Sequence, residues 1–414
     1  MKRLCLALAC VASAVLAACG GGSAAPATTG VMVAPTPAAN TMPIVVDQGP
    51  ADLVQAGLPV VNTPFVSVTL CVPGSATVCQ TIDHVALDTG SSGLRVMASA
   101  FDPGVVLPVA SDPASNLALR ECAQFADGFA WGSVVAADVQ LGGATVASLP
   151  VHLIGDADSG TAPDSCVSGP DESTVFSFGA NGVLGVGNFV QDCGDACATG
   201  AIPGTYYACD AGGGVACTSV TVATGQQVSN PVALLAGDNN GLVMTLASAP
   251  VQGEASATGT MTFGIGTETN NTFVAARFYT LDDAGTLVTI FDGLAQSGSF
   301  IDSGSNALYF SDAALTTCSD ASVFYCPSQT QPMSAVIQGL NGISASVDFV
   351  VSNADQLLST ADAVVPGLAG PDVTPASGAS TAFDWGLPFF FGRNVYVLFE
   401  GRVASGSTGP AVGF

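Results

Sequence analysis

Two short stretches of this sequence place a carboxylate at a glycine turn between apolar segments. The first is Val85-Ala86-Leu87-Asp88-Thr89-Gly90-Ser91-Ser92-Gly93-Leu94-Arg95-Val96, and the second is Ser299-Phe300-Ile301-Asp302-Ser303-Gly304-Ser305-Asn306-Ala307-Leu308-Tyr309-Phe310. They share the order apolar lead-in, Asp, hydroxyl residue, Gly, Ser, apolar run, and lie 302 − 88 = 214 residues apart. Buried flanking strands would hold the two turns rigid, so that the carboxylates can meet within hydrogen-bonding distance. At that distance both cannot ionise together, and the pair is expected to share one proton. The charged member can then act as general base on a water while the protonated one hydrogen-bonds a substrate carbonyl, with no covalent enzyme intermediate. A third copy, Asp158-Ser159-Gly160, has Gly155-Asp156-Ala157 before it and Thr161-Ala162-Pro163 after it, and reads as a loop.

Other chemistries are limited by what the chain contains. It has two histidines, His84 and His152, both read as packed or edge residues, and its one lysine is Lys2. A histidine-rich metal centre is excluded by number, and no phosphate-cradling Gly-x-x-x-x-Gly-Lys motif exists. Asp238-Asn239-Asn240-Gly241 lacks the spacing and terminal Glu of a calcium loop and reads as a hairpin turn.

On the two acid turns the chain resembles the two-lobed pepsin-like aspartic peptidases, in which each lobe carries one such turn backed by a later apolar-apolar-Gly segment. Gly182-Val183-Leu184-Gly185-Val186-Gly187 matches the first backing segment. Trp385-Gly386-Leu387-Pro388 and the run to Glu400, with the closing Val412-Gly413-Phe414, matches the second in part, Pro388 falling where the family usually has glycine. Asn230-Pro231-Val232 resembles the signature of a secreted bacterial family without assigned function.

The resemblance implies a mainly β fold of bilobal pepsin-like closed barrels, with the active-site cleft between two pseudo-twofold-related lobes. It implies an aspartic-type endopeptidase in which Asp88 and Asp302 activate water, Ser91 and Ser305 hydrogen-bond the outer carboxylate oxygens, and Thr89 and Ser303 tie the turns together across Gly90 and Gly304. No cofactor or metal is implied. A flap over the cleft is implied at Phe125, Gly128, Phe129 and Trp131. Phe125 stands where the family has a tyrosine and cannot make its hydrogen bond, so the three aromatics also read as simple sheet packing. Arg95 replaces the family's tryptophan and reads as a solvated turn residue or, second, as a contact to substrate. The alternative to hydrolysis is a catalytically inactive pepsin-like lipoprotein that binds peptide or protein in the cleft.

Composition narrows the partners. With 49 Gly, 24 Pro and 7% aromatic residues, the 49% apolar content is carried largely by Ala and Val, which favours short strands and turns over long helices. The formal charge is −25, and without Lys2 and Arg3 the remaining 5 Arg against 32 acids give 5 − 32 = −27. That balance repels phosphate backbones and anionic headgroups, so no nucleic acid is expected as a partner; the resemblance implies peptide or unfolded protein. A monomer is expected.

Residues 1–19 read as a lipoprotein signal: Lys2-Arg3, an apolar run, then Leu16-Ala17-Ala18-Cys19-Gly20, with Cys19 as the lipidated residue. The expected place is the bacterial envelope, at the outer membrane, with contact to the membrane through the lipid alone. Residues 20–44 read as a flexible low-complexity tether, 45–229 as an N-terminal lobe and 230–414 as a C-terminal lobe. Cys5 and Cys10 leave with the signal. The ten others, Cys71, Cys79, Cys122, Cys166, Cys193, Cys197, Cys209, Cys217, Cys318 and Cys326, are an even set that reads as disulfides. Cys71 with Cys79 and Cys318 with Cys326 suit hairpin pins. The four from Cys193 to Cys217 suit nested pairs or, less well in an oxidising compartment, a zinc site.

Overall fold

Strands dominate because apolar residues recur at every second position. In Pro64–Cys71, Val66, Val68 and Leu70 enter the core while Ser67 is exposed. The computed structural model describes residues 38–414, except 103, 211–215, 275–276, 320–322 and 373–381. The signal at 1–19, Cys19 and the tether through residue 37 lie outside the described residues. The tether ends earlier than expected. Residues 41–44 belong to the strand Thr41–Val46, where Met42 and Ile44 are buried.

Six strands of the N-terminal half close into a barrel. In spatial order they are Phe129–Leu141, Ala144–Ile154, Ser92–Met97, Gly182–Val186, Cys79–Asp88 and Pro64–Cys71, and the last pairs back to the first through Thr69 opposite Gln140. A shared sheet then joins the halves. Thr41–Val46 pairs with Pro64–Cys71 on one side and with Ala257–Phe263 on the other, and the sheet continues through Gly241–Leu246, Asn394–Leu398 and Ala411–Gly413. The second half carries a seven-stranded sheet holding Leu294–Ile301. The result is the mainly β, bilobal pepsin-like architecture. One apolar cluster runs from Val68 and Leu87 through Leu184 and Phe263 to Phe310, Phe383 and Trp385.

Both acids sit at the same topological crossing. Cys79–Asp88 runs parallel to Gly182–Val186 with Asp88 opposite Gly185, and Gly185 also lies opposite Gly93 of the antiparallel Ser92–Met97. In the second half Leu294–Ile301 runs parallel to Asp384–Trp385, which is antiparallel to Leu308–Tyr309. The two registers equate Arg95 with Tyr309, Val183 with Asp384, Leu184 with Trp385 and Gly185 with Gly386. Pro388 is therefore not the replaced glycine: it lies beyond the crossing in the helical turn Leu387–Phe389, and the required glycine is Gly386. A Cβ on Gly386 would stand 2.1 Å from the carbonyl oxygen of Ala307 and 2.6 Å from that of Ser305.

Disulfides join Cys71 to Cys79, Cys122 to Cys166, Cys193 to Cys197, Cys209 to Cys217 and Cys318 to Cys326. The four from Cys193 to Cys217 pair in sequence, not nested, and leave no thiolate for zinc. Asn230 of the Asn-Pro-Val stretch is fully buried where the chain passes between halves: it donates to the carbonyl of Gly187 at 3.2 Å and accepts from the Val232 amide at 3.0 Å.

Because backbone oxygens cannot move aside as a side-chain end can, Gly386→Ala should destabilise the fold by about 1–3 kcal/mol. Gly200→Ala, where a Cβ meets nothing within 4 Å, should stay within about 0.5 kcal/mol of the parent in urea unfolding.

Candidate active site

Each turn holds its own acid in the same way. Asp88 accepts through Oδ1 from the Gly90 amide at 2.7 Å and through Oδ2 from the Ser91 hydroxyl. Asp302 accepts through Oδ1 from the Gly304 amide at 2.7 Å and through Oδ2 from the Ser305 hydroxyl at 2.9 Å. The turns are then bolted to each other by a reciprocal set. Thr89 Oγ1 donates to the Ile301 carbonyl at 3.1 Å and accepts from the Ser303 amide at 2.9 Å. Ser303 Oγ donates to the Leu87 carbonyl at 2.7 Å and accepts from the Thr89 amide at 3.1 Å.

This brings the acids face to face. A Cβ on Gly90 would lie 2.6 Å from Asp302 Cγ, and one on Gly304 would lie 2.7 Å from Asp88 Oδ1. Both positions therefore demand glycine, and each tip touches the opposite carboxyl. Gly90 and Gly304 are exposed, so the pair opens to solvent. Burial, the Asp88 charge, the Asp384 charge and the hydrogen bond to Asp88 together push Asp302 well above the usual carboxylate range, against the pull of the Gly304 amide.

A third acid, unremarked in the sequence, adjoins the pair. Asp384 is 8% exposed, as is Asp88, and its Oδ1 has no hydrogen-bond partner among the described residues. Burial pushes it well above the usual range, opposed by the nearby Ser305 hydroxyl and helped by the Asp88 and Asp372 charges. Aligning Val183-Leu184-Gly185 with Asp384-Trp385-Gly386 in the sequence would have exposed it.

A family model described as a protein of unknown function (DUF3443) matches residues 36–414. The chain belongs to that family. No curated protein matches it. Among solved structures it is similar to the aspartic proteinase from Irpex lacteus, with 14% identity, a TM-score of 0.48, and coverage of 91% of this chain and 96% of that one.

Behind the first turn Arg95 overturns its reading as a solvated residue. It is 4% exposed and contacts Glu121 at 2.6 Å, Asp192 at 3.4 Å and the Ser92 carbonyl at 2.9 Å. His152 closes on the other oxygen of Glu121 at 2.8 Å, and Tyr206 donates to Asp192 at 2.8 Å. Burial disfavours the Glu121 charge, but Arg95 and His152 outweigh it and hold the carboxyl below its usual range. The network lends the first turn a rigid polar backing. Nothing in the local sequence marks Arg95 and Glu121 as partners, since 26 residues separate them.

The flap residues are used for packing. Phe125 closes the hairpin tip by donating its amide to the Gly128 carbonyl at 2.8 Å, and its ring stacks edge-on against Phe178. Phe129 and Trp131 pack with Tyr207 around the Cys122–Cys166 bridge, and Trp131 Nε1 donates to the Ser159 carbonyl at 3.2 Å. A Cβ on Gly128 would lie 2.4 Å from the Pro170 carbonyl oxygen. Burial, the Asp384 charge and then the Asp127 charge raise the Tyr309 phenol. A pocket of about 230 Å3 flanks the joined turns, with Ser91, Phe189, Gly285 and Phe300 in its walls. A larger one of about 620 Å3, around Met333, Phe349 and Phe389, contains neither acid.

Thr89→Val and Ser303→Ala should each cost about 1–3 kcal/mol, because each strands buried backbone groups. In a double-mutant cycle by urea unfolding, the pair should couple by about 0.5 kcal/mol or more. Asp302 binds its proton more tightly folded than unfolded, so its contribution to stability is present at acid pH and is lost as pH rises through the raised value. Asp302→Asn should therefore gain melting temperature relative to the parent at pH 7 more than at pH 4.

Proposed function

We propose that this protein is an aspartic-type endopeptidase that hydrolyses peptide bonds through water activated by Asp88 and Asp302. The observation that carries the reading is the mutual contact of each turn tip with the opposite carboxyl. A binding module has no use for two acids held so close that they must share a proton. In the proposed cycle the raised Asp302 carries that proton and donates a hydrogen bond to the scissile carbonyl oxygen, while the Asp88 carboxylate takes a proton from water. The water oxygen bonds to the carbonyl carbon, whose π electrons move to oxygen, and the tetrahedral species takes up the Asp302 proton. A proton then passes from Asp88 to the amide nitrogen as the carbon–nitrogen bond breaks, and the gem-diol's proton returns to the pair. The lipid anchor expected at Cys19 belongs to the same proposal, with the body displayed at the bacterial envelope as a monomer.

The purified protein should cleave unfolded polypeptide at mildly acidic pH, and the rate should fall as pH rises and the shared proton is lost. Asp88→Asn or Asp302→Asn should reduce kcat by about 100-fold to 10,000-fold or more, and a statine-type transition-state mimic should inhibit. Retention of cleavage by either variant, or peptide binding without cleavage at any pH between about 3 and 7, would overturn the reading.

A further inference from the structure

The pseudo-twofold relation supplies an internal control for every residue at the crossing. Position 183 in the first half is Val, 2% exposed, and the strand pairing there is intact without an acid. The equivalent position in the second half is Asp384, also paired on both sides, through Phe300 and Tyr309. The fold thus has no need of a carboxylate at 384, and placing one there costs desolvation. Its surroundings make that cost larger: Asp88, Asp302, Asp372 and the Tyr309 phenol are the titratable groups acting with it. No basic residue is among them, and Oδ1 is left unpartnered among the described residues.

Resting on the peptidase reading, we propose that Asp384 is a specificity-determining residue that selects a lysine or arginine side chain of the substrate next to the scissile bond. A buried, unpaired acceptor beside two other acids is complementary to a cation that arrives with the ligand. A metal ion fits less well. Asp88 and Asp302 already spend their oxygens on turn amides and hydroxyls, and a hard cation needs six or more oxygens. Burial opposes ionisation of Asp384 in the free protein. An ammonium group beside it favours the ionised form, so pairing stabilises the Asp384 carboxylate.

The test is binding of fluorescent statine-type peptides to the intact protein, which does not depend on turnover. Lysine, arginine and the uncharged norleucine are placed in turn at each position flanking the statine. At one position the lysine and arginine peptides should bind about 10- to 100-fold more tightly than the norleucine peptide. Asp384→Asn and Asp384→Val, the second installing the residue found at 183, should both bring the three within about twofold while still binding the norleucine peptide. Equal binding of lysine and norleucine at every position, or a preference that survives both variants, overturns the proposal. So does a preference abolished by millimolar calcium, which would assign the site to the metal. Failure of every statine peptide to bind sinks the cleft reading itself, and this proposal with it.

Discussion

The structure depends on the exchange between Thr89 and Ser303, in which each hydroxyl accepts the other turn's amide and donates to a carbonyl in the strand before it. All four bonds are buried, so losing them would leave six groups short of a partner: the amides and hydroxyls of Thr89 and Ser303 and the carbonyls of Leu87 and Ile301. That penalty is what allows two carboxyls to be held together against their repulsion. The strands behind the turns only deliver the residues. The exchange fixes the separation, and the glycines at 90 and 304 let each tip come within contact of the opposite acid.

Much of this could be read from the chain because the local pattern and the global fold agree. The two acid turns announce themselves by repetition, and the unflanked Asp158-Ser159-Gly160 differs from them in the way the structure differs: Ser159 is tied back to the Asp156 carbonyl in a loop. Cys71–Cys79 and Cys318–Cys326 were legible for the same reason, since closely spaced cysteines flanking a turn have few other partners, whereas Cys193–Cys197 and Cys209–Cys217 pair in sequence where nesting was expected. What escaped was set by tertiary contact. Arg95 looks like a surface residue until Glu121 and His152 arrive from other strands, and Asp384 looks like one more acid in an acidic chain until register places it opposite Tyr309. Pro388 misled because motif matching fixes order along the chain but not which residue meets the crossing.

The hairpin over the N-terminal half shows a different economy. Its aromatic residues face their own half, stapled by Cys122–Cys166 and by Trp131 bonding to the Ser159 carbonyl. Ring packing of this kind stabilises by burial and by edge-to-face contact, about 0.5–1.5 kcal/mol per pair beyond area. It trades away the freedom to close down. Asp127 at the polar tip adds to the burial and the Asp384 charge that raise the Tyr309 phenol. The groups that act on Asp302 and Tyr309 here, Asp88, Asp384 and Asp127, are all acids.

The five bridges have one more property in common. Four of them span eight residues or fewer and the fifth spans 44, and none passes from one half to the other. A chain that emerges from its N-terminus can therefore complete each covalent link within its own neighbourhood, and no thiol has to wait for a partner in the distant half. No native link depends on the two acid turns having met, so oxidation of either half needs nothing from the other.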